Sequence, residues 1–453
     1  MEQAKIKCAV SDTVQLAKKI QIYPTEEQIT VLWKISEKCR IVYNMAIAER
    51  RDTWKNSKKA VSYNEQQNKL PEFKDNNPEF KQVYSKVYQA VLKKIDNSYR
   101  STFSKWKKGD YAAELPGFRG CNYLQTITYN QSGFKIKNGK VYFSHSVSDT
   151  PLVFDIGEKY SSLKIKQFEI INDNPYKARG KFFVCITFDQ DIEKEYADNG
   201  KYQAIDLGIT KIVTAVNTDG KFFEVKTPRV DKYWNPKIDA AKSRRDHCLG
   251  AKKGQKKSKK YLRIAKAVSI MSRKKSNQIK DFQHKLSRKT VENTQANTII
   301  VGDLAVQDMT KLKIKDGKKQ RKTKQRKGLN RATQGLGNLS RFPQLLTYKA
   351  ELIGKKVIRV SEKDTSKACC CCGKKHNMPT SVRVMSCDCG NEMDRDRNSA
   401  INIMKRFLSQ NALWTGYRLF ADNLRQTGTI SEEIHAKYIS EIETLARSHS
   451  VFS

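Results

Sequence analysis

Residues 201–225 read KYQAIDLGITKIVTAVNTDGKFFEV, and this stretch decides the fold. Three apolar runs, YQAID, ITKIVTAV and KFFEV, are short and rich in β-branched and aromatic residues, which predicts three strands in sequence. Asn217-Thr-Asp-Gly220 closes a hairpin between the second and third. Downstream come a basic helical stretch (about 235–291), a strand TIIVGDL (298–304), a basic loop, a helix (about 340–353) and a strand KKVIRV (355–360). Early antiparallel strands followed by strands split by helices are the order an RNase H-like domain gives. Asp206 follows Ala204-Ile205 and precedes Leu207-Gly208, so a carboxylate interrupts an apolar run. Burying it unpaired is costly, and a divalent cation is one way to offset that cost.

Further along, six of the eleven cysteines fall between Cys369 and Cys389, while Cys8, Cys39, Cys121, Cys185 and Cys248 are scattered. An odd total with that clustering suits a metal site in a reducing compartment better than a disulfide framework. Cys369 and Cys372 form CxxC, and Cys387 with Cys389 forms CxC, each pair followed by a glycine (Gly373, Gly390) that lets the backbone turn around an ion. Four thiolates from two loops suit tetrahedral, structural Zn²⁺. Cys370 and Cys371 are competing ligands, and the plain alternative is a cluster of reduced, metal-free thiols. Asp394 and Asp396 follow in MDRDRNSAIN, just before a helix expected from about Asn398. Each alone reads as a cap or ion-pair partner, Asp396 in particular as the cap. With Asp206, in a basic chain, they point to Mg²⁺-dependent phosphodiester chemistry.

Towards the N-terminus, residues 14–23 read as a short strand ended by Pro24. Thr25-Glu-Glu-Gln28 is a capping box, opening a helix whose apolar positions Ile29, Leu32, Ile35, Cys39, Val42, Tyr43 and Ala46 share one face. Polar residues around 57–80 interrupt, and Val83, Val87, Val91, Ile95 and Tyr99 mark a second helix, making a helical hairpin. From about 109 the period becomes two: Asn138-Gly139 forms a type I′ turn, and strands follow near 151–156, 162–170 and 181–188. These predict a small barrel or sandwich, completed by the strand at 14–23, with the hairpin inserted.

The 453 residues carry 87 Lys+Arg against 47 Asp+Glu, a formal charge of +40, and the length suggests about three domains. Such an excess, spread along the chain, predicts extended nucleic acid as partner. Apolar residues make up 38%, and no stretch approaches the ~18–20 apolar residues of a membrane span. The first residues, MEQAKIKCAVSDTVQLAKK, lack an apolar signal core, so a prokaryotic cytoplasmic, nucleoid-associated protein is expected. Residues 242–275 hold fourteen Lys or Arg and residues 311–331 hold eleven, and both runs interrupt the domain carrying Asp206. They read as contacts to nucleic acid through its phosphates, with the charge alone leaving RNA and DNA strands undistinguished. His284 is a candidate phosphate contact or a structural helix-face residue. Tyr63, Phe73, Phe80, Tyr84 and Tyr88 are either core or readers of DNA.

The order YQAIDLGITK, VGDLAVQDM, TSKACCCCG, CDCG and MDRDRNSAINI resembles the TnpB family, RNA-guided nucleases of insertion-sequence transposons related to the miniature type V CRISPR effectors. The resemblance runs from about residue 14 to 406. It implies an α+β multidomain chain with a RuvC/RNase H-like nuclease domain (201–365 and 393–453, including the C-terminal tail) and an inserted zinc-ribbon module (366–392). It also implies a wedge β-barrel (1–23 and 109–192) with an inserted helical recognition subdomain (24–108), and 193–200 as linker. The implied function is cleavage of double-stranded DNA beside a short adjacent motif, chosen by a guide RNA derived from the transposon end.

The resemblance makes Asp206 the first catalytic metal ligand and Asp396 the last. Where the family has Glu-Asp-Leu, this chain has Gly302-Asp303-Leu304. Asp303 lies one residue on, and a single step along a strand turns a side chain to the other face. Glu362 stands just past KKVIRV, where the family more often has Pro, and its long side chain can reach the same site from the neighbouring strand. The expected site is therefore Asp206, Glu362 and Asp396 with two Mg²⁺ ions ~4 Å apart, one activating water and the other stabilising the leaving 3′ oxygen. Lys and Arg groups would stabilise the phosphorane. If Glu362 is instead an exposed loop carboxylate, the chain is a nuclease-dead guided DNA-binding protein. A transposase and a single-strand binding protein are the remaining alternatives.

Overall fold

The computed structural model describes residues 13–130, 132–174, 180–248, 257–303, 314–315, 318–319, 339, 341–379 and 381–450. The chain divides into two compact units, Met1–Asp191 and Ile192–Ser453.

In the first unit, β1 (Thr13–Ile22) runs antiparallel to β7 (Phe182–Asp191) along its whole length, from Thr13↔Asp191 to Ile22↔Phe182. With β6 (Lys164–Asn172) and β2 (Ile127–Asn130) they form a sheet of order β1-β7-β6-β2. β3 (Phe134–Lys137), β4 (Lys140–Phe143) and β5 (Leu152–Asp155) form a second sheet. Asn138 and Gly139 between β3 and β4 both have positive φ (50° and 69°), as a type I′ turn requires. Between β1 and β2 the chain is helical. The capping box of α1 (Glu26–Ser57) is present, with Gln28 N donating to Thr25 Oγ1 (3.2 Å) and Thr25 N to Gln28 Oε1 (3.1 Å). Leu32, Ile35, Cys39, Val42, Tyr43 and Ala46 bury that helix against α4 (Ser85–Lys107) and the sheet residues around Tyr129 and Phe168. The polar stretch after residue 57 holds two further short helices, α2 (Tyr63–Asn68) and α3 (Leu70–Asn76). Gln66 of α2 and Asp96 of α4 satisfy the buried Arg50 of α1, at 2.9 and 3.3 Å. Phe80 and Tyr88 are core, and Tyr63, Phe73 and Tyr84 pack half-buried against it.

The second unit is built on a sheet of order β10-β9-β8-β11-β14. β8 (Tyr202–Asp206), β9 (Lys211–Asn217) and β10 (Phe222–Lys226) are antiparallel neighbours. β11 (Thr298–Asp303) lies parallel to β8 on one side and to β14 (Lys356–Ser361) on the other. Helices α5 (Val230–Asp246) and α6 (Lys259–Asn293), a two-residue hairpin β12/β13 (Ile314–Lys315, Lys318–Lys319) and α7 (Arg341–Leu352) fill the connections. Alternation along the strands sorts the two faces. Ile205, Ile299 and Val301 face α6 and α7, while Tyr202, Ala204 and Ile300 face α8 (Arg395–Gln410).

The tail forms α9 (Trp414–Gln426) and α10 (Glu432–Ser450), with Tyr417 and Leu424 buried and Trp414 partly so, whereas Leu419 is 51% exposed. The first basic run lies along α5 and α6 apart from residues 249–256, and most of the second lies outside the described residues. Among the described residues no helix is long and apolar enough to cross a membrane.

Candidate active site and metal centre

The loop 366–392 makes two tight turns, closed by Gly373 N donating to Cys369 O (2.9 Å) and Gly390 N to Cys387 O (3.0 Å). Gly373 and Gly390 take φ of 75° and 87°, a conformation that a side chain would strain. The short strands β15 (Val384–Ser386) and β16 (Glu392–Asp394) brace the second turn. These turns bring Cys369, Cys372, Cys387 and Cys389 together, with all four thiols within 4.8 Å of one another. The 369–389 and 372–387 pairs are 3.6 and 3.5 Å apart. Tetrahedral Zn–S bonds of 2.3 Å would put sulfurs about 3.8 Å apart, so the spacing fits a metal held by four thiolates. Cys370 and Cys371 fall outside the group, their thiols 3.7 Å apart within the core of the unit.

The carboxylates gather at the C-terminal end of β8. Asp206 accepts from Ser399 Oγ at 2.8 Å. Burial pushes its carboxyl up to about 7, and the charge of Asp396 adds to this against the pull of Ser399, Arg395 and Arg383. Gly302 pairs with Val360 on β14 and follows Val301, the partner of Ile205 on β8, so it lies beside Asp206 on the same face of the sheet. Glu362, two residues past Val360, folds back over Gly302. A Cβ built on Gly302 would overlap the carboxylate and Cγ of Glu362, so this side chain occupies the space where one from residue 302 would begin. Burial first, then the charges of Asp206 and Asp303, push Glu362 up to about 8, and its buried Oε1 has no hydrogen-bond partner among the described residues. Asp303 is on the other face, 60% exposed and 3.7 Å from Arg359.

Asp394, not Asp396, caps α8, accepting from Asp396 N at 2.9 Å, and the helix begins at Arg395 rather than near Asn398. That leaves the Asp396 side chain in the first turn, 8% exposed and ion-paired with Arg383. Residues on the next turn tie the two centres together. Asn398 accepts from Cys370 N (2.8 Å) and donates to Ala368 O (2.8 Å), fixing the first cysteine turn. Ser399 Oγ also lies 3.0 Å from Thr365 Oγ1, an alternative acceptor for its single proton, and Thr365 donates to the Glu362 backbone oxygen (2.9 Å). Lys211 on β9 binds both Glu224 and Asp394 at 3.0 Å, anchoring the start of α8. Ser399, Thr365, Arg383 and Lys211 were not singled out by sequence. Only Ser399 had a legible signal, sitting three residues after Asp396 on the same helix face. His284 stands on α6, its backbone oxygen accepting from Lys349 Nζ (2.5 Å), with burial and the charges of Lys349, Lys280 and Arg341 holding its ring below the ordinary range.

Among the described residues the cysteines are the one group of three or more ligating side chains gathered closely enough to hold an ion as they stand. The carboxylates fit a hard cation by donor chemistry, since Asp206 and Glu362 are both buried and raised, and the charge of Asp206 acts on Glu362.

Three family models match the chain: "Cas12f1-like, TNB domain" over residues 340–403, "Probable transposase" over 183–313 and "Helix-turn-helix domain" over 13–59. In the last span the structure holds β1 and one unbroken helix, α1. A Streptomyces pristinaespiralis protein named "Putative RNA-guided DNA endonuclease" is 27% identical over 411 residues, covering 89% of this chain and 92% of its own. A Micrarchaeota archaeon protein named "CRISPR-associated endodeoxyribonuclease Cas12f2" is 25% identical over 295 residues, 62% of this chain and 48% of its own. A solved complex of Cas12f1 with single-guide RNA and target DNA superposes with a TM-score of 0.57 at 11% identity, covering 87% of this chain and 99% of that one. By fold, then, this is a mixed α+β protein built like the Cas12f effectors, with a zinc-ribbon-like module. Together these matches support a TnpB-family protein related to the miniature type V effectors.

Proposed function

We propose that the chain is an RNA-guided double-stranded DNA endonuclease of a transposon, using a guide RNA derived from the transposon end and cutting beside a short adjacent motif. The observation that carries this reading is Glu362 lying over Gly302 beside Asp206, with its Oε1 unpartnered among the described residues. A protein that had abandoned hydrolysis would have no need of a buried carboxylate there, since leaving it unpaired costs stability. The names of the relatives and the basic α5–α6 region support nucleic acid as substrate and guide. The same domain boundaries follow: wedge barrel, helical insertion, linker, nuclease domain and zinc module. A prokaryotic cytoplasmic setting at the nucleoid agrees with that substrate.

Zn²⁺ would be held by Cys369, Cys372, Cys387 and Cys389 as a structural ion, because protein fills all four places. Asp206, Glu362 and Asp396 would hold the catalytic Mg²⁺. Bound there, two such ions would activate water and stabilise the leaving oxygen of the phosphodiester. The chain's own residues prepare that site. Ser399 fixes the orientation of Asp206, Thr365 fixes the turn that carries Glu362, and Arg383 holds Asp396 until it is needed as a ligand. Lys211 keeps α8, and so Asp396, in register with β9.

The test is Mg²⁺-dependent cleavage by the protein copurified with its flanking RNA, with Glu362→Ala and Asp303→Ala alongside. Loss with the first and retention with the second support the site. Tight guided binding without cleavage by the unaltered protein would instead make it a nuclease-dead, repressor-like binder.

A further inference from the structure

At the far end of β8 from Asp206, four residues and about 13 Å along the strand, lies a cavity of about 360 Å³ between the sheet and the C-terminal end of α6. It belongs to neither centre described above. Its floor is Gln203 of β8, only 7% exposed, whose side chain makes no hydrogen bond among the described residues. This amide lines the opening, so its two donors and its acceptor are free to meet a ligand there. At the rim, Phe223 of β10 is 43% exposed, which is unusual for a ring on a sheet face. Lys201, Lys221 and Lys289 surround the mouth against a single carboxylate, Asp219, which already accepts from Asn217 Nδ2 at 3.1 Å. Lys221 and Lys289 make no ion pair among the described residues, while Lys201 donates to Gln295 Oε1 at 2.8 Å.

We propose that this cavity takes one nucleotide of a nucleic-acid strand, with the phosphate on the lysines, the base against Phe223 and its edge on Gln203. The three features match the three parts of a nucleotide. Ammonium groups neutralise phosphate. An exposed ring supplies a stacking platform that tolerates any base. A glutamine amide offers one acceptor and two donors, the complement of a base edge such as that of adenine. An acidic peptide would satisfy the lysines alone. The proposal rests on the reading of the chain as a nucleic-acid protein, and RNA and DNA share the chemistry invoked.

Photo-crosslinking of the full-length protein tests it, using one single-stranded RNA carrying 4-thiouridine and one DNA of the same sequence carrying 4-thiothymidine, followed by peptide mapping. An adduct on the peptide containing Phe223 is expected with at least one strand, and the strand that gives it identifies the source. Gln203→Leu, and separately Lys221→Ala with Lys289→Ala, should each reduce that adduct at least fivefold and leave adducts elsewhere unchanged. The lysine pair lies at the surface, so it remains informative if Gln203→Leu lowers the melting temperature. Adducts confined to other peptides, or a Phe223 adduct indifferent to both sets of changes, overturn the proposal while leaving the nuclease reading intact. No adduct anywhere would overturn both.

Discussion

The cysteine centre and the carboxylate centre sit on the two sides of α8, and they have settled differently. Four cysteine sulfurs stand in contact, 3.5–3.6 Å across the two pairs, held there by the two glycine turns. Carboxylates cannot do this, since like charges in a poorly solvated pocket raise each other's pKa or move apart. Asp206 and Glu362 take the first course, pushed up to about 7 and 8 by burial first, with the charge of Asp396 adding at Asp206 and those of Asp206 and Asp303 at Glu362. Asp396 takes the second and pairs with Arg383. The preformed centre is thus the structural one, and the centre that waits for its ions is the one proposed to do chemistry. Both depend on the same two turns of helix, through Asn398 on one side and Ser399 on the other.

Breaking the cysteine side should have the largest effect. Structural zinc contributes on the order of 10 kcal/mol to small zinc modules, so Cys372→Ser or prolonged chelation should unfold residues 366–392 and release Asn398 from its partners. Zinc content by elemental analysis and limited proteolysis report this, and intact protein without zinc would count against it. Next, Asp206→Ala or Glu362→Ala should lower cleavage by about 10³-fold or more, because each removes several kcal/mol of charge stabilisation. Guided DNA binding should survive, which a gel-shift assay checks. Ser399→Ala sharpens the comparison from between the centres. It should cost about 10–100-fold in cleavage, as loss of a ligand's outer partner does, with zinc content unchanged. The smallest effect belongs to Asp303→Ala, within about twofold, since exposed side chains of this kind contribute little.

Much of this was legible in the sequence, and what was not has physical reasons. The capping box at Thr25, the type I′ turn at Asn138-Gly139 and the glycines after each cysteine pair are local rules, decided within four residues. The opposite fates of Gly302 and Asp303 also followed from strand alternation alone. The helix cap did not. Asp394 and Asp396 are both plausible caps by type, and the choice went to Asp394 because β16 brings it to the helix mouth and Lys211 holds it there. Likewise α2 and α3 escaped notice because they are too short for a periodic pattern, and α2 serves chiefly to bring Gln66 to the buried Arg50. Arg383 was invisible because it reaches Asp396 from a loop thirteen residues away by chain fold rather than by spacing.

The central claim is that Glu362 has replaced a carboxylate lost from position 302. An exchange of the two positions tests it most directly, by comparing Glu362→Ala with the double variant Glu362→Ala and Gly302→Glu in the guided cleavage assay. Removing Glu362 clears the space over residue 302, so the account predicts that the single variant is inactive and that the added glutamate restores cleavage to within about tenfold of the original. Undiminished cleavage by Glu362→Ala would contradict it, and so would a folded double variant that binds guided DNA but never cuts it.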